Sequence, residues 1–257
     1  MSESPATNGY PADLPSGGRY YESGKSRVVL THIRGGQEAL LADANPQTFP
    51  EVTDQVLQQL VSDLPVEDWG DMLIGDKYAL LFYLREISYP GKPYSFDVTC
   101  PRCNFDNALN FDIKKDIDMR EGTEAPEPFT VDLPMSGKTV ALRLMRVRDE
   151  REMTRFVRKE RRENPGQGDP GYLYSIARGI QAVDGESVEL DVALKFVKEG
   201  AAMDNTELKD CLDDHDVGPE LEVEFNCQSC KGYWHQMMPL GADFFRPGST
   251  KRRRSKR

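Results

Sequence analysis

The sequence predicts an α+β fold in which two β-hairpins, each closed by a CxxC motif, pack with helices to form a base, and a further hairpin-and-helices region is inserted between them. Three observations predict it. Alternating apolar residues run into both CPRC at 100–103 and CQSC at 227–230, helical periodicities precede the first motif, and 123 residues with their own patterning lie between Cys103 and Cys227. A loop of that length does not cross a compact domain without structure of its own.

The opening stretch, MSESPATNGYPADLPSGG, has little aliphatic content, and residues 1–26 are expected to be a flexible arm with folding starting near Arg27. Val28 to Ile33 reads as a short strand. Thr48-Phe-Pro-Glu51 has the capping-box pattern, with Pro in the first turn, and Val52, Val56, Leu57, Leu60, Val61 and Leu64 continue it with a 3.6-residue period. A second helix is predicted over residues 76–88, DKYALLFYLREIS. Leu80, Leu81, Leu84 and Ile87 mark one face and Tyr78, Phe82 and Arg85 another, so it is expected to be buried on more than one side, as a central core helix. Tyr89-Pro-Gly91 ends it.

In Tyr94-Ser-Phe96-Asp-Val98-Thr-Cys100 the apolar side chains stand two, four and six residues before the first cysteine, and Leu221-Glu-Val223-Glu-Phe225-Asn-Cys227 repeats those offsets. Each is a strand that delivers a CxxC turn, with return strands through Leu109, Phe111 and Ile113 and through Tyr233 to Met238. A tight CxxC turn sets two sulfurs about 2.3 Å from one ion, and two turns complete a tetrahedral shell, which points to a zinc-ribbon-like base holding structural Zn²⁺ on Cys100, Cys103, Cys227 and Cys230. The metal would close a long loop and couple the folding of the two motifs. No HExxH or HxE motif accompanies these cysteines, as a catalytic zinc would require. A thioredoxin-type pair needs its CxxC at a helix start, and both motifs here follow strands. An iron–sulfur cluster uses the same thiolates and stays open, as does His235 replacing one cysteine. Cys211, in a predicted helix with Leu208 and Leu212, reads as a small buried hydrophobe.

The predicted division is residues 27–122 with 216–247 as base, 123–215 as insertion and 248–257 as basic tail. Within the insertion, Phe129, Val131 and Leu133, a Ser136-Gly137 turn, and Val140, Leu142 and Leu144 describe a hairpin. A charged helix over Arg148 to Glu163 follows, anchored by Met153, Phe156 and Val157. Its basic face suits an acidic partner or nucleic acid, but its arginines are matched by Asp149, Glu150, Glu152, Glu160 and Glu163, and the favoured reading is a solvated face. After NPGQGDPG come short helices marked by Leu173, Ile176 and Ile180, by Val192, Leu194, Phe196 and Val197, and by Leu208 and Leu212.

The chain of 257 residues is 38% hydrophobic and 30% charged, enough to bury a core. No apolar run approaches the roughly 20 residues of a membrane span, and no signal-peptide core opens the chain, so synthesis in the cytoplasm and no membrane contact are expected. The net charge is -10, and because KRRRSKR at the end carries six bases, the remainder carries -16. Such a body repels nucleic acid, whereas the tail Lys251 to Arg257 suits an acidic partner or nucleic acid.

The helix IGDKYALLFYLREISYPG, strand-CPRC-strand, a helical stretch, strand-CQSC-strand and the closing PLGADFFRP together resemble the baseplate hub and hub-assembly proteins of contractile-tailed bacteriophages of the T-even kind. The resemblance spans about Arg27 to Pro247 and is firmest at the Asp76 helix and the two CxxC turns. It implies a non-enzymatic structural or assembly protein of the tail baseplate, a hub part or wedge-to-hub connector. The implied partners are other baseplate proteins, the site of assembly is the host cytoplasm and the destination is the virion. The competing class is a nucleic-acid-binding zinc-ribbon protein, with its affinity in the basic tail.

Overall fold

A computed structural model describes residues 9–45, 47–166 and 168–246. The basic tail expected to meet an acidic partner or nucleic acid lies outside the described residues, as do residues 1–8 of the expected arm.

The rest of that arm is part of the fold, which corrects the expectation of flexibility up to residue 26. Strand β1 (Tyr10–Asp13) pairs antiparallel with β2 (Arg27–Leu30), and Ala12, Leu14 and Tyr21 are buried. Two donors tie the loop between them to the central helix. Ser16 N–H donates to Asp76 Oδ1 at 3.0 Å and the Tyr21 hydroxyl to Asp76 Oδ2 at 2.6 Å. Gly18, at φ +74°, sits where a Cβ would lie 2.6 Å from the backbone of Lys25, so the glycines here make a tight turn and not a loose one.

Helix α1 (Gly35–Asp43) leads to α2 (Phe49–Leu60), which buries Val56, Leu57 and Leu60 on the predicted face. The expected capping box does not form. Thr48 makes no side-chain cap bond, and the entry is instead an Asn45 turn whose Oδ1 accepts from the N–H groups of Gln47 and Thr48. Strand β3 (Val61–Ser62) completes a three-stranded sheet on β2. Helix α3 (Ile74–Ser88) is buried on most of its circumference, polar residues included: Asp76, Lys77 and Arg85 are as inaccessible as Leu80, Phe82 and Leu84.

Strands β4 (Tyr94–Thr99) and β5 (Asp106–Phe111) form the first cysteine hairpin, with Thr99 opposite Asp106. The return strand stops at Phe111, and Ile113 opens the short helix α4 (Ile113–Asp116). Beyond it β6 (Met119–Arg120) pairs antiparallel with β11 (Gly218–Pro219), so the chain leaves for its excursion and returns from it through one paired neck. The returning strand presses on the start of α3: a Cβ on Gly75 would lie 1.8 Å from the carbonyl oxygen of Val217. Strands β12 (Glu222–Asn226) and β13 (Tyr233–Met237) then make the second hairpin, with Asn226 opposite Tyr233.

Within the excursion β7 (Phe129–Asp132) and β8 (Thr139–Leu142) form the predicted hairpin. Helices α5 (Val147–Glu163) and α6 (Pro170–Gly179) follow. Ile180, read from sequence as helical, instead opens β9 (Ile180–Val183), which pairs with β8 and with β10 (Glu186–Ser187) to give a four-stranded sheet. Its placement at the end of α6 follows a glycine, Gly179, against which Leu212 packs at 3.0 Å from a notional Cβ. Helices α7 (Leu190–Glu199) and α8 (Ala202–His215) pack on α6, α8 also meeting β7, with Ala193, Val197 and Leu208 buried.

Residues of base and excursion enter one hydrophobic cluster, from Val28 and Leu80 to Val140 and Leu208. Two of the acids read as solvent-facing on α5, Asp149 and Glu150, are buried. Lys77 Nζ lies 2.8 Å from Asp54 and 2.5 Å from Glu150, joining α2, α3 and α5, while the Tyr78 hydroxyl donates to Glu150 at 2.8 Å. Asp149 accepts from Arg143 at 2.6 and 3.0 Å, from Arg178 at 2.5 Å and from the N–H of Arg146 at 2.7 Å. Burial alone would raise the Asp149 pKa, but these cations and the N–H outweigh it and hold the carboxyl below the usual range.

A depressed carboxylate pKa gives stability that is complete above its unfolded value and is lost as pH falls through the folded one. Asp149→Asn is therefore expected to destabilise the protein by about 2–3 kcal/mol at neutral pH, less than for a fully enclosed pair because Arg143 and Arg178 reach solvent. In urea melts the gap between variant and wild type should narrow below about pH 4. A gap that persists undiminished there would assign the effect to packing.

Candidate metal centre

The two hairpins bring Cys100, Cys103, Cys227 and Cys230 to one point, where four sulfurs lie within 4.8 Å of one another. The turns that carry them are built alike. Cys100 N–H donates to Phe105 O at 2.9 Å and Asn104 N–H to Cys100 O at 3.0 Å, while Cys227 N–H donates to Gly232 O at 2.9 Å and Lys231 N–H to Cys227 O at 3.1 Å. The residue after each second cysteine is left-handed, Asn104 at φ 55° and Lys231 at φ 59°. Within each turn an N–H points at the first sulfur: Arg102 N to Cys100 Sγ at 3.4 Å and Cys230 N to Cys227 Sγ at 3.5 Å.

The spacing fits one tetrahedral ion. Sulfurs about 2.3 Å from a common center stand about 3.8 Å apart; Cys100 and Cys230 are separated by 3.8 Å and Cys103 and Cys227 by 3.6 Å. Both of these contacts cross between the hairpins. Cys100 and Cys227 are buried, Cys103 and Cys230 exposed, so the cluster has a protein side and a solvent side. Burial raises the Cys227 thiol, yet the N–H groups of Cys230 and Ser229 and the Cys103 and Cys100 thiols bring it down to about 6. For Cys103 the Phe105 backbone acts downward, but burial and the other three thiols take it up to about 11.

His235 is not in the cluster. It is exposed on β13 with Nε2 3.4 Å from Glu224. Cys211 is also apart from it, half-buried on α8, where burial pushes its thiol up.

Two further residues position this site, Asn107, which the sequence reading does not single out, and Arg85, which the sequence places on a face of the central helix without linking it to the cysteines. Asn107, buried on β5, donates from Nδ2 to Val98 O at 3.3 Å and Phe105 O at 3.1 Å, and its Oδ1 accepts from Gln228 N–H at 2.8 Å in the other CxxC turn. One amide thereby fixes the first turn and docks the second on it. The available signal was an asparagine at an inward strand position, where the second hairpin places Trp234. Arg85 is the other. From α3 it donates to Pro93 O at 2.9 Å and to Phe244 O, and its guanidinium lies 5.3 Å and 5.2 Å from the Tyr94 and Phe244 rings. It holds the closing segment, with Phe244 and Phe245 buried, against the foot of the first hairpin.

The elements that frame the cysteines, from β1 through the closing Phe244-Phe245 segment, coincide with a known family. The family model described as T4 bacteriophage base plate protein matches residues 10–246. The chain belongs to that family. Membership gives this baseplate protein a structural role in a phage tail, and the match takes in residues 10–26, which the sequence resemblance had left out. The chain matches no curated protein and no solved structure. Among the described residues no helix is long and apolar enough to cross a membrane.

Because Asn107 orders both turns, Asn107→Ala is expected to weaken metal retention about 10- to 100-fold, read as competition against a chelator with all four thiols intact. Unchanged retention would show that the backbone of the turns suffices.

Proposed function

We propose that this baseplate protein is a non-enzymatic component of a contractile tail, at the hub or between hub and wedge, and that Cys100, Cys103, Cys227 and Cys230 hold one structural Zn²⁺ in a zinc-ribbon-like base. The observation that carries the reading is the closed set of four thiols at tetrahedral spacing, with no histidine or carboxylate in the cluster. Such a shell leaves no coordination position for water or substrate, so its contribution is to fold and rigidity. A rigid joint between two hairpins suits a part that bears load between neighbors. Family membership supplies the setting, the tail baseplate of the virion, with other baseplate proteins as partners. The nucleic-acid reading draws its cations from Lys251 to Arg257, and nothing in the described residues adds to it.

Elemental analysis of protein purified under reducing conditions is expected to give one zinc per chain, and Cys100→Ser or Cys227→Ser to lower metal content and thermal stability together. Iron with sulfide in place of zinc, or no metal at all, would overturn the zinc assignment.

The structural role is tested separately by mass spectrometry of purified tails and of baseplate assembly intermediates. The chain is expected in both at a fixed ratio to other baseplate proteins. Presence in intermediates alone would make it an assembly factor in place of a hub part, and absence from both would refute the reading.

A further inference from the structure

The two cysteine hairpins serve as internal controls for each other. Counting outward from the cysteines, Ser95, Asp97, Thr99, Asp106, Ala108 and Asn110 on the first correspond to Glu222, Glu224, Asn226, Tyr233, His235 and Met237 on the second. Both sets alternate with inward residues and so form the outer faces.

On the first hairpin this face is small and self-satisfied. Ser95 Oγ donates to Asn110 at 2.6 Å and Thr99 Oγ1 to Asp106 at 2.8 Å, each across the strand pair. On the second, the same positions carry large side chains turned to solvent: Tyr233 is 68% exposed and Met237 57%. They stand opposite Asn226 and Glu222, with the exposed Glu224 and His235, in contact at 3.4 Å, between them. Among the described residues no cation pairs with Glu222. The hairpin does not need these residues for its own fold, since its inward face is supplied by Phe225, Val223 and Trp234. Tyrosine and methionine are residue types enriched where proteins meet.

We propose that the outer face of the second hairpin, Tyr233 and Met237 with Glu222 and Glu224, is a docking surface for a neighboring tail protein that presents an apolar patch bordered by Arg or Lys. The charge selects the partner. Two glutamates beside two apolar anchors match a basic rim, and a second copy using this same face across a two-fold axis would set the glutamates against each other. The position adds precision, because the strands that carry the face are the ones anchored by Cys227 and Cys230, so the anchors are presented on a braced ribbon at little entropic cost. The assignment rests on the baseplate reading and adds to it the surface used and the chemistry of what it meets.

The test is complementation in vitro. Purified full-length protein is added to an extract of cells infected with a phage deleted for this chain, and infectious particles are counted. Tyr233→Ser with Met237→Ser, and separately Glu222→Lys with Glu224→Lys, are expected to lower complementation about tenfold or more. Metal content and thermal midpoint should match wild type, and Ala108→Ser on the first hairpin should complement fully. Face variants that complement like wild type would overturn the proposal. So would a wild-type dimer in sedimentation that these variants dissociate, which assigns the face to a second copy, or loss of metal along with complementation, which assigns it to the fold. Failure of wild type itself to complement would sink the baseplate reading, and this surface with it.

Discussion

Everything in this molecule is arranged around the meeting of two thiol pairs that sequence places 123 residues apart. Four sulfurs brought within 4.8 Å of one another demand that both hairpins be held in one relative orientation, since the contacts Cys100 to Cys230 and Cys103 to Cys227 run between the hairpins. That orientation is fixed three times over. Asn107 bridges the turns directly, Arg85 clamps the segment after the second hairpin to the foot of the first, and the β6–β11 pair brings the chain back beside the place it left.

The excursion is joined to this base by charge as well as by apolar packing. Lys77 on α3 meets Asp54 on α2 and Glu150 on α5 away from water, a layout that is costly to build and costly to break. An apolar trio in the same place would hold the helices together with less directional demand. A lysine shared by two carboxyl groups accepts far fewer arrangements, so the cluster sets the position of α5, and with it the four-stranded sheet, relative to the central helix.

The hairpins and their cysteines were readable from sequence because period-2 alternation and a CxxC turn are both local signals, and the repeated offsets made each motif evidence for the other. The core character of residues 76–88 was readable for a similar reason, although Lys77 and Arg85 give no local hint of being buried. Local reading failed where the partner is distant. Residues 10–26 look like an unstructured arm by composition, but Ala12, Leu14 and Tyr21 find a core, and Asp76 supplies acceptors from 55 and 60 residues away. Asp149 and Glu150 look like half of a solvated charge pattern, and their actual partners, Arg143, Arg178, Lys77 and Tyr78, come from other elements or an adjoining strand end. Ile180 continues a helical period up to Gly179, and only the availability of β8 as a pairing edge turns it into a strand.

The paired neck changes the order in which this chain can assemble. Bringing Cys103 to Cys227 through the whole excursion would mean closing a loop of 123 residues. Once β6 and β11 have zipped, the thiols are separated by about 25 residues along the shortest path, and the closure cost falls by about 1.4 kcal/mol. The excursion then becomes a side branch whose length is invisible to the cysteines. The closure entropy of the four-thiol site is then set by the neck and not by the number of residues beyond it, and nascent chain emerging late rejoins a half already formed.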